Sequence, residues 1–213
     1  MELNSEKTKI MIFDFSKDYR FTTQLSLKNN PIEVVSQTRL LGTIITSDLK
    51  WDMNTDEIVR KAYARMQILH KISQYETPKD DMTHIYKIYI RSILEQSCQV
   101  WHSSLSEQNC EDLERVQKCA LKIIEPELKY HEALYKLDLE CLKERRDKLC
   151  LKFAKKSIEN RNTKITKMFP ENELINNRSR KEKYKVNYAR TERLKRSSIP
   201  FMQRLLNKDE NKK

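Results

Sequence analysis

The apolar residues of this chain change their period once. From Lys9 to Thr46 the pattern is strand-like. In Lys9-Ile10-Met11-Ile12-Phe13-Asp14-Phe15, Met11, Phe13 and Phe15 fall on one side and Ile10 and Ile12 on the other. Leu25-Ser26-Leu27 leads through Asn29-Asn30-Pro31, a turn signal, into Ile32-Glu33-Val34-Val35. Arg39-Leu40-Leu41-Gly42-Thr43-Ile44-Ile45-Thr46 is apolar on both alternations, which predicts a strand covered on both faces, with glycine where something approaches the backbone. Residues 9–46 therefore read as a short antiparallel sheet that lacks a covering layer.

From Thr55 the apolar period lengthens to three or four. Ile58, Ala62, Met66 and Leu69 make the first helical stripe. Thr77-Pro78-Lys79-Asp80 predicts the start of a second helix, carrying Met82, Ile85, Tyr86, Tyr89, Ile90, Ile93 and Leu94. A third runs from near Ser106 through Leu113, Val116, Ala120 and Ile123. A short one covers Tyr130 to Leu137, and a fifth runs from Glu140 through Leu142 and Leu149 to Phe153. Beyond Glu159 the period fails until Ile199-Pro200-Phe201-Met202-Gln203-Arg204-Leu205-Leu206, a compact apolar segment able to dock back. The expected class is α+β, mostly α: a short antiparallel sheet over 1–51, a helical bundle over 52–158, and a basic, partly disordered tail over 159–213 with a short terminal helix.

Composition narrows the chemistry. Gly42 is the only glycine among 213 residues, so no phosphate-binding glycine loop, dinucleotide fingerprint or nucleophile elbow can be written into the chain. The net charge of +11 favours anionic partners. Most of that charge sits between Arg178 and Arg196, which hold nine basic and two acidic residues. Lysines and arginines there suit phosphates, and Tyr184 and Tyr188 could stack on bases; a solvated basic segment with no fixed ligand fits the composition as well. Five cysteines without a CxxC pair suit a reducing compartment, nucleus or cytoplasm. No apolar run reaches membrane-spanning length, and no secretory signal is evident.

Other candidate sites are weak. Asp80-Asp81 is the only adjacent aspartate pair, and its place at a helix start suits the macrodipole better than two-metal chemistry. His102 in Trp101-His102-Ser103-Ser104 stands beside two hydroxyls, but sequence neighbours rarely adopt triad geometry. The histidines and cysteines lack zinc-site spacing.

Several ordered segments resemble reverse transcriptases of non-LTR retrotransposons, jockey-type elements in particular. Asn4-Ser5-Glu6-Lys7-Thr8-Lys9-Ile10-Met11-Ile12-Phe13 is similar to the segment that follows their catalytic aspartates. Leu40-Leu41-Gly42-Thr43-Ile44-Ile45 and Ser47-Asp48-Leu49-Lys50-Trp51 resemble the strand that ends the palm and carries the primer grip. Arg91-Ser92-Ile93-Leu94-Glu95-Gln96, Val100-Trp101-His102-Ser103-Ser104-Leu105, Asp112-Leu113-Glu114-Arg115-Val116-Gln117-Lys118 and Leu139-Glu140 with Glu144-Arg145-Arg146 continue the pattern. Ser198-Ile199-Pro200-Phe201-Met202-Gln203-Arg204-Leu205-Leu206-Asn207 is similar to the way such reading frames end.

The resemblance implies a partial palm over 1–51, a thumb with its extension over 52–158, and a basic tail. It implies primer-grip-like positions at Leu41, Gly42 and Thr43, and makes Lys7 or Lys9 the remnant of a lysine near the incoming nucleotide. Two departures qualify it. Nothing matches the fingers or the aromatic-x-Asp-Asp strand that holds magnesium, so no polymerisation and no cofactor are expected of this chain. Ile124-Glu125-Pro126-Glu127-Leu128 stands where relatives have a longer, glycine-containing turn, which hints at a truncated copy.

The expected function is non-sequence-specific binding of RNA, DNA or their hybrid, through Lys181, Lys183, Lys185, Arg193 and Arg196 with Tyr184 and Tyr188 stacking. The missing palm and fingers are a second expected partner, and a membrane is not. Two alternatives stay open: a helical interaction module that docks through Met11, Phe13, Phe15 and Leu41, and a transposon remnant with no role.

Overall fold

In a computed structural model of the chain, which describes residues 8–15, 24–27, 30–160, 164–171 and 182–211, the lone glycine stands in a turn. Six short strands occur among the described residues: β1 (Lys9–Ile10), β2 (Ser26–Leu27), β3 (Asn30–Pro31), β4 (Glu33–Val34), β5 (Gln37–Leu40) and β6 (Thr43–Thr46). They form three separate pairs. β1 runs parallel to β4, while β2–β3 and β5–β6 are antiparallel. The expected single antiparallel sheet is thus corrected: strands of two residues offer too few ladder bonds to recruit a third neighbour.

In the β5–β6 hairpin Leu40 faces Thr43, which leaves Leu41 and Gly42 as a two-residue loop with φ of 48° and 87°. Positive φ at both positions makes a type I′ turn, the geometry that matches strand twist. Glycine adopts it without a Cβ penalty, and Leu41 does not. Leu41 is 88% exposed and Leu40 and Gly42 are also exposed, so the expected strand covered on both faces is overturned.

The chain divides into two compact units, residues 1–57 and 58–213, with the division inside helix α1 (Asp52–Ile72). In the first unit the hairpin is tied to the opening of α1. Ile44 N–H donates to Asn54 Oδ1 at 3.0 Å, and Arg39 pairs with Glu57 at 2.9 Å. In the second unit Ile58, Ala62, Met66 and Leu69 are all buried, as their spacing predicts.

The helical unit continues through α2 (Lys79–Ile85), a π-helical turn over Tyr86–Arg91 and α3 (Ser92–Glu95) as one run. Thr77 does not cap α2; its hydroxyl donates to Ile72 O at 3.0 Å and closes α1 instead. Ser97, in the left-handed region at φ 54°, turns the chain into α4 (Cys98–Trp101) and a 3₁₀ turn at His102–Ser104. Ser106 caps α5 (Glu107–Ile124), accepting from Asn109 N–H at 3.1 Å. Then follow α6 (Tyr130–Lys136), α7 (Leu142–Glu159), α8 (Glu192–Arg196) and α9 (Ser198–Glu210).

Two polar devices hold these helices together. Gln117 on α5 is fully buried; it accepts from Tyr86 Oη at 2.5 Å and donates to Tyr130 Oη at 2.8 Å and to Glu140 O at 2.9 Å. Tyr130 in turn donates to Glu114, whose carboxylate also accepts from Leu142 N–H at 3.0 Å. Buried polar groups satisfied this way fix helix register. The second device is the buried Glu125, which pairs with Lys79 at 2.6 Å and Lys136 at 2.8 Å. Burial pushes its carboxyl up, but the two lysines outweigh that and hold it below the usual range.

The C-terminal part belongs to this helical unit. α9 lies along α7, and Phe169, Tyr184, Met202 and Leu206 share one apolar cluster with Cys150 and Ala154. The helix over Ser198–Glu210 docks back as the apolar segment 199–206 predicts, and among the described residues Phe169 and Tyr184 add anchors that a charge count conceals.

Candidate nucleic-acid interface

Residues 182–190 form an extended strap laid against α9. Asn207 clamps the backbone of Tyr184 from both sides, accepting from its N–H at 2.8 Å and donating to its carbonyl at 2.9 Å. One helical turn earlier, Gln203 accepts from Asn187 N–H at 3.1 Å and donates to Met168 O at 2.8 Å. On the other side Lys185 N–H donates to Pro170 O at 3.0 Å, next to an antiparallel bridge between Tyr184 and Glu171. An extended backbone alternates its side chains. Tyr184, 5% exposed, points into the core and its neighbours Lys183 and Lys185 face solvent, as alternation requires; Tyr188 has the same parity as Tyr184 yet is 90% exposed, so the alternation does not reach it.

This corrects one candidate. Tyr184 is a core residue and cannot stack on a base, because the clamp that holds its backbone turns its ring inward. Arg193 and Arg196 lie on α8, one turn apart and exposed. Lys183 is 4.0 Å from Glu171, and Lys195 pairs with Glu192 at 3.1 Å. Lys181 and Lys7 lie outside the described residues. Lys9 is on β1, paired with Glu33 at 3.2 Å, and Leu41, Gly42 and Thr43 are the hairpin tip described above, with only Thr43 buried.

Beneath α8 the structure gathers several segments that are distant in sequence. Trp101 is fully buried, its indole N–H donating to Gln96 O at 3.0 Å, and the Arg146 guanidinium lies 5.7 Å from its ring centre. Arg146 Nε–H donates to His102 Nδ1 at 3.1 Å, and His102 Nε2 is 2.8 Å from Asp147. These partners set the tautomer: Nδ1 accepts and Nε2–H donates. Glu95 binds Arg91 at 3.2 Å and Arg145 at 3.1 Å. Ser104 Oγ donates to Arg196 O at 3.0 Å, Ser198 Oγ to Val100 O at 2.6 Å, and Phe201 meets the His102 ring edge-on at 5.9 Å.

Chemically this cluster is a joint. Both nitrogens of His102 are occupied by Arg146 and Asp147, which leaves neither for a serine hydroxyl. Burial pushes the imidazole pKa below its ordinary value against the pull of Asp147, so it is neutral at pH 7. A cleft of about 480 Å³ opens beside it, lined by Lys143 and Arg196 but also by Glu107, Glu111 and Asp147, a mixed set with no preference for one sign of ligand. Asp80 and Asp81 are exposed in the first turn of α2. Among the described residues no three His, Cys, Asp or Glu side chains converge as a metal site, and no helix is long and apolar enough to cross a membrane.

Asn207, Gln203, Arg146 and Glu125 are the functional supports that sequence reasoning missed. The first two had a signal: amides four apart on the same helix as Ile199, Met202 and Leu206, at positions that a continuous apolar face would fill. Comparisons with protein-family models, curated proteins and solved structures return no match for this chain.

Proposed function

We propose that this chain is the C-terminal portion of a non-LTR reverse transcriptase, and that it binds RNA, DNA or their hybrid through the phosphate backbone. One observation carries the reading. Four of the segments on which the resemblance rests meet in a single joint: Glu95 with Arg145, Trp101 with Arg146, and Val100 with Ser198. Contacts among these segments support reading them as parts of one helical unit, as the proposal requires. The joint holds α8, and Gln203 and Asn207 of α9 hold the strap; together they carry Lys183, Lys185, Arg190, Arg193 and Arg196 on the exposed side. The sequence carries no aromatic-x-Asp-Asp strand of the kind that holds magnesium in such polymerases, so the proposal is limited to nucleic-acid binding.

Fluorescence anisotropy with a labelled RNA–DNA hybrid tests it. Affinity should fall steeply between about 50 and 200 mM salt. Changing Lys185, Arg190, Arg193 and Arg196 together to Ala should flatten the logarithmic salt slope by about three to four. Unchanged affinity in that variant refutes the interface. Point substitutions serve better than deleting the 178–196 window, because deletion also removes Tyr184 from the core. A second reading, a protein-interaction module, is favoured by the exposure of Phe13, Phe15, Leu40 and Leu41 in the first unit. Sedimentation showing concentration-dependent association without nucleic acid would favour it.

A further inference from the structure

The strap has a feature that backbone binding does not use. Tyr188 is the most exposed aromatic of the helical unit save Tyr135, and it directly follows the stretch 184–187, whose backbone is hydrogen-bonded to α9 and to Pro170. The amides of Gln203 and Asn207, both buried, fix the strap at Asn187 and Tyr184, while Pro170 and Glu171 fix its other edge. An exposed ring on a loose segment has to be ordered when it binds; here the chain is already fastened at Asn187, one residue before the ring, which lowers that cost. Lys185 and Arg190 flank it, both exposed, and neither makes an ion pair with a described carboxylate. Their Cα atoms, five residues apart, are separated by at most about 18 Å. That is the span of a few nucleotides, with the ring between the ends.

We infer that the strap is a stacking platform for single-stranded nucleic acid, with one unpaired base on Tyr188 and neighbouring phosphates on Lys185 and Arg190. This deepens the nucleic-acid reading above and rests on it. Paired bases in a duplex present no free face to a protruding ring, whereas a single strand presents one at every nucleotide. The burial of Tyr184 sharpens the point: only one of the two tyrosines in this basic segment is available, so the platform takes one base. Stacking tolerates any base and either sugar, so single-stranded RNA and DNA should bind alike.

The test compares three labelled probes of one sequence, each about twelve nucleotides long: single-stranded RNA, single-stranded DNA and the RNA–DNA hybrid. They are titrated against the full chain and its Tyr188→Ala and Tyr188→Phe variants, with thermal melts to show that all three proteins are equally folded. The single strands should bind more tightly than the hybrid. Tyr188→Ala should weaken the single strands by about fivefold or more and leave the hybrid nearly unchanged, and Tyr188→Phe should retain binding. Binding of all three probes that ignores Tyr188 but is lost in Lys185→Ala/Arg190→Ala overturns the platform and leaves the backbone reading standing. No salt-dependent binding of any probe overturns both.

Discussion

The hairpin that carries Leu41 and the helix that carries Met202 both arise from apolar runs, yet one run ends in solvent and the other in a core. In the first unit Phe13, Phe15, Leu40 and Leu41 are exposed. In the second, Met202 and Leu206 are buried against α7, and Trp101, Leu113 and Leu142 are fully buried. The difference lies in what each element finds to pack on. A helix with one apolar stripe needs a single neighbour of matching stripe, and α7 supplies it to α9. A strand pair needs a layer on at least one face, and among the described residues β5 and β6 gain no third strand to widen the face that such a layer would cover. Hydrophobicity thus measures a demand for burial, and topology decides whether it is met.

The largest test of that contrast uses the two tyrosines of the strap. Tyr184→Ala should destabilise the chain by about 3 kcal/mol, because it empties a core site, whereas Tyr188→Ala should change stability by no more than about 0.5 kcal/mol. Urea titrations followed by circular dichroism measure both, and equal effects would erase the distinction between a buried and a presented ring. A smaller effect concerns acid. The folded pKa of His102 lies below its ordinary 6.5, so on acidification the unfolded chain takes up the proton first. Stability should be fully present above about pH 6.5 and decline as pH falls toward the folded pKa. Lys143 and Arg146 also disfavour the imidazolium and Asp147 favours it. His102→Gln should remove this component of the pH profile, and an unchanged profile would place its origin elsewhere.

The smallest effect belongs to the hairpin tip. Leu41→Asn puts a residue tolerant of positive φ into the type I′ turn ahead of Gly42, and should stabilise the first unit by about 0.5–1 kcal/mol. Amide exchange at β5 and β6 would report it. A loss of protection would mean that the Leu41 side chain makes a contact the exposed tip does not suggest.

Much of the helical unit was legible because its periodicity is local. Ile58, Ala62, Met66 and Leu69 are buried as spaced, and α5 begins at Glu107, beside the expected start near Ser106. The hairpin was misread for a physical reason: Leu40, Leu41, Thr43, Ile44 and Ile45 make a continuous apolar run, and a turn of two residues interrupts that run with one glycine alone. The basic segment was misread because charge dominates its composition while two aromatics and two amides decide its place. Glu125 stands where the resemblance expects a different turn, and its clamp of Lys79 and Lys136 joins residues 46 and 11 positions away, beyond the reach of any local pattern.

By itself the amino-acid order determined the α+β, mostly helical class, the helix stripes and the concentration of positive charge, since each follows from neighbours within a few positions. The tertiary structure alone decided which tyrosine of the strap is buried, that His102 is held by Arg146 and Asp147, and that Gly42 turns a hairpin. The first two depend on pairings 23 to 45 residues apart, where packing and hydrogen bonding choose among side chains that look alike in sequence, and the hairpin depends on the local register of β5 and β6.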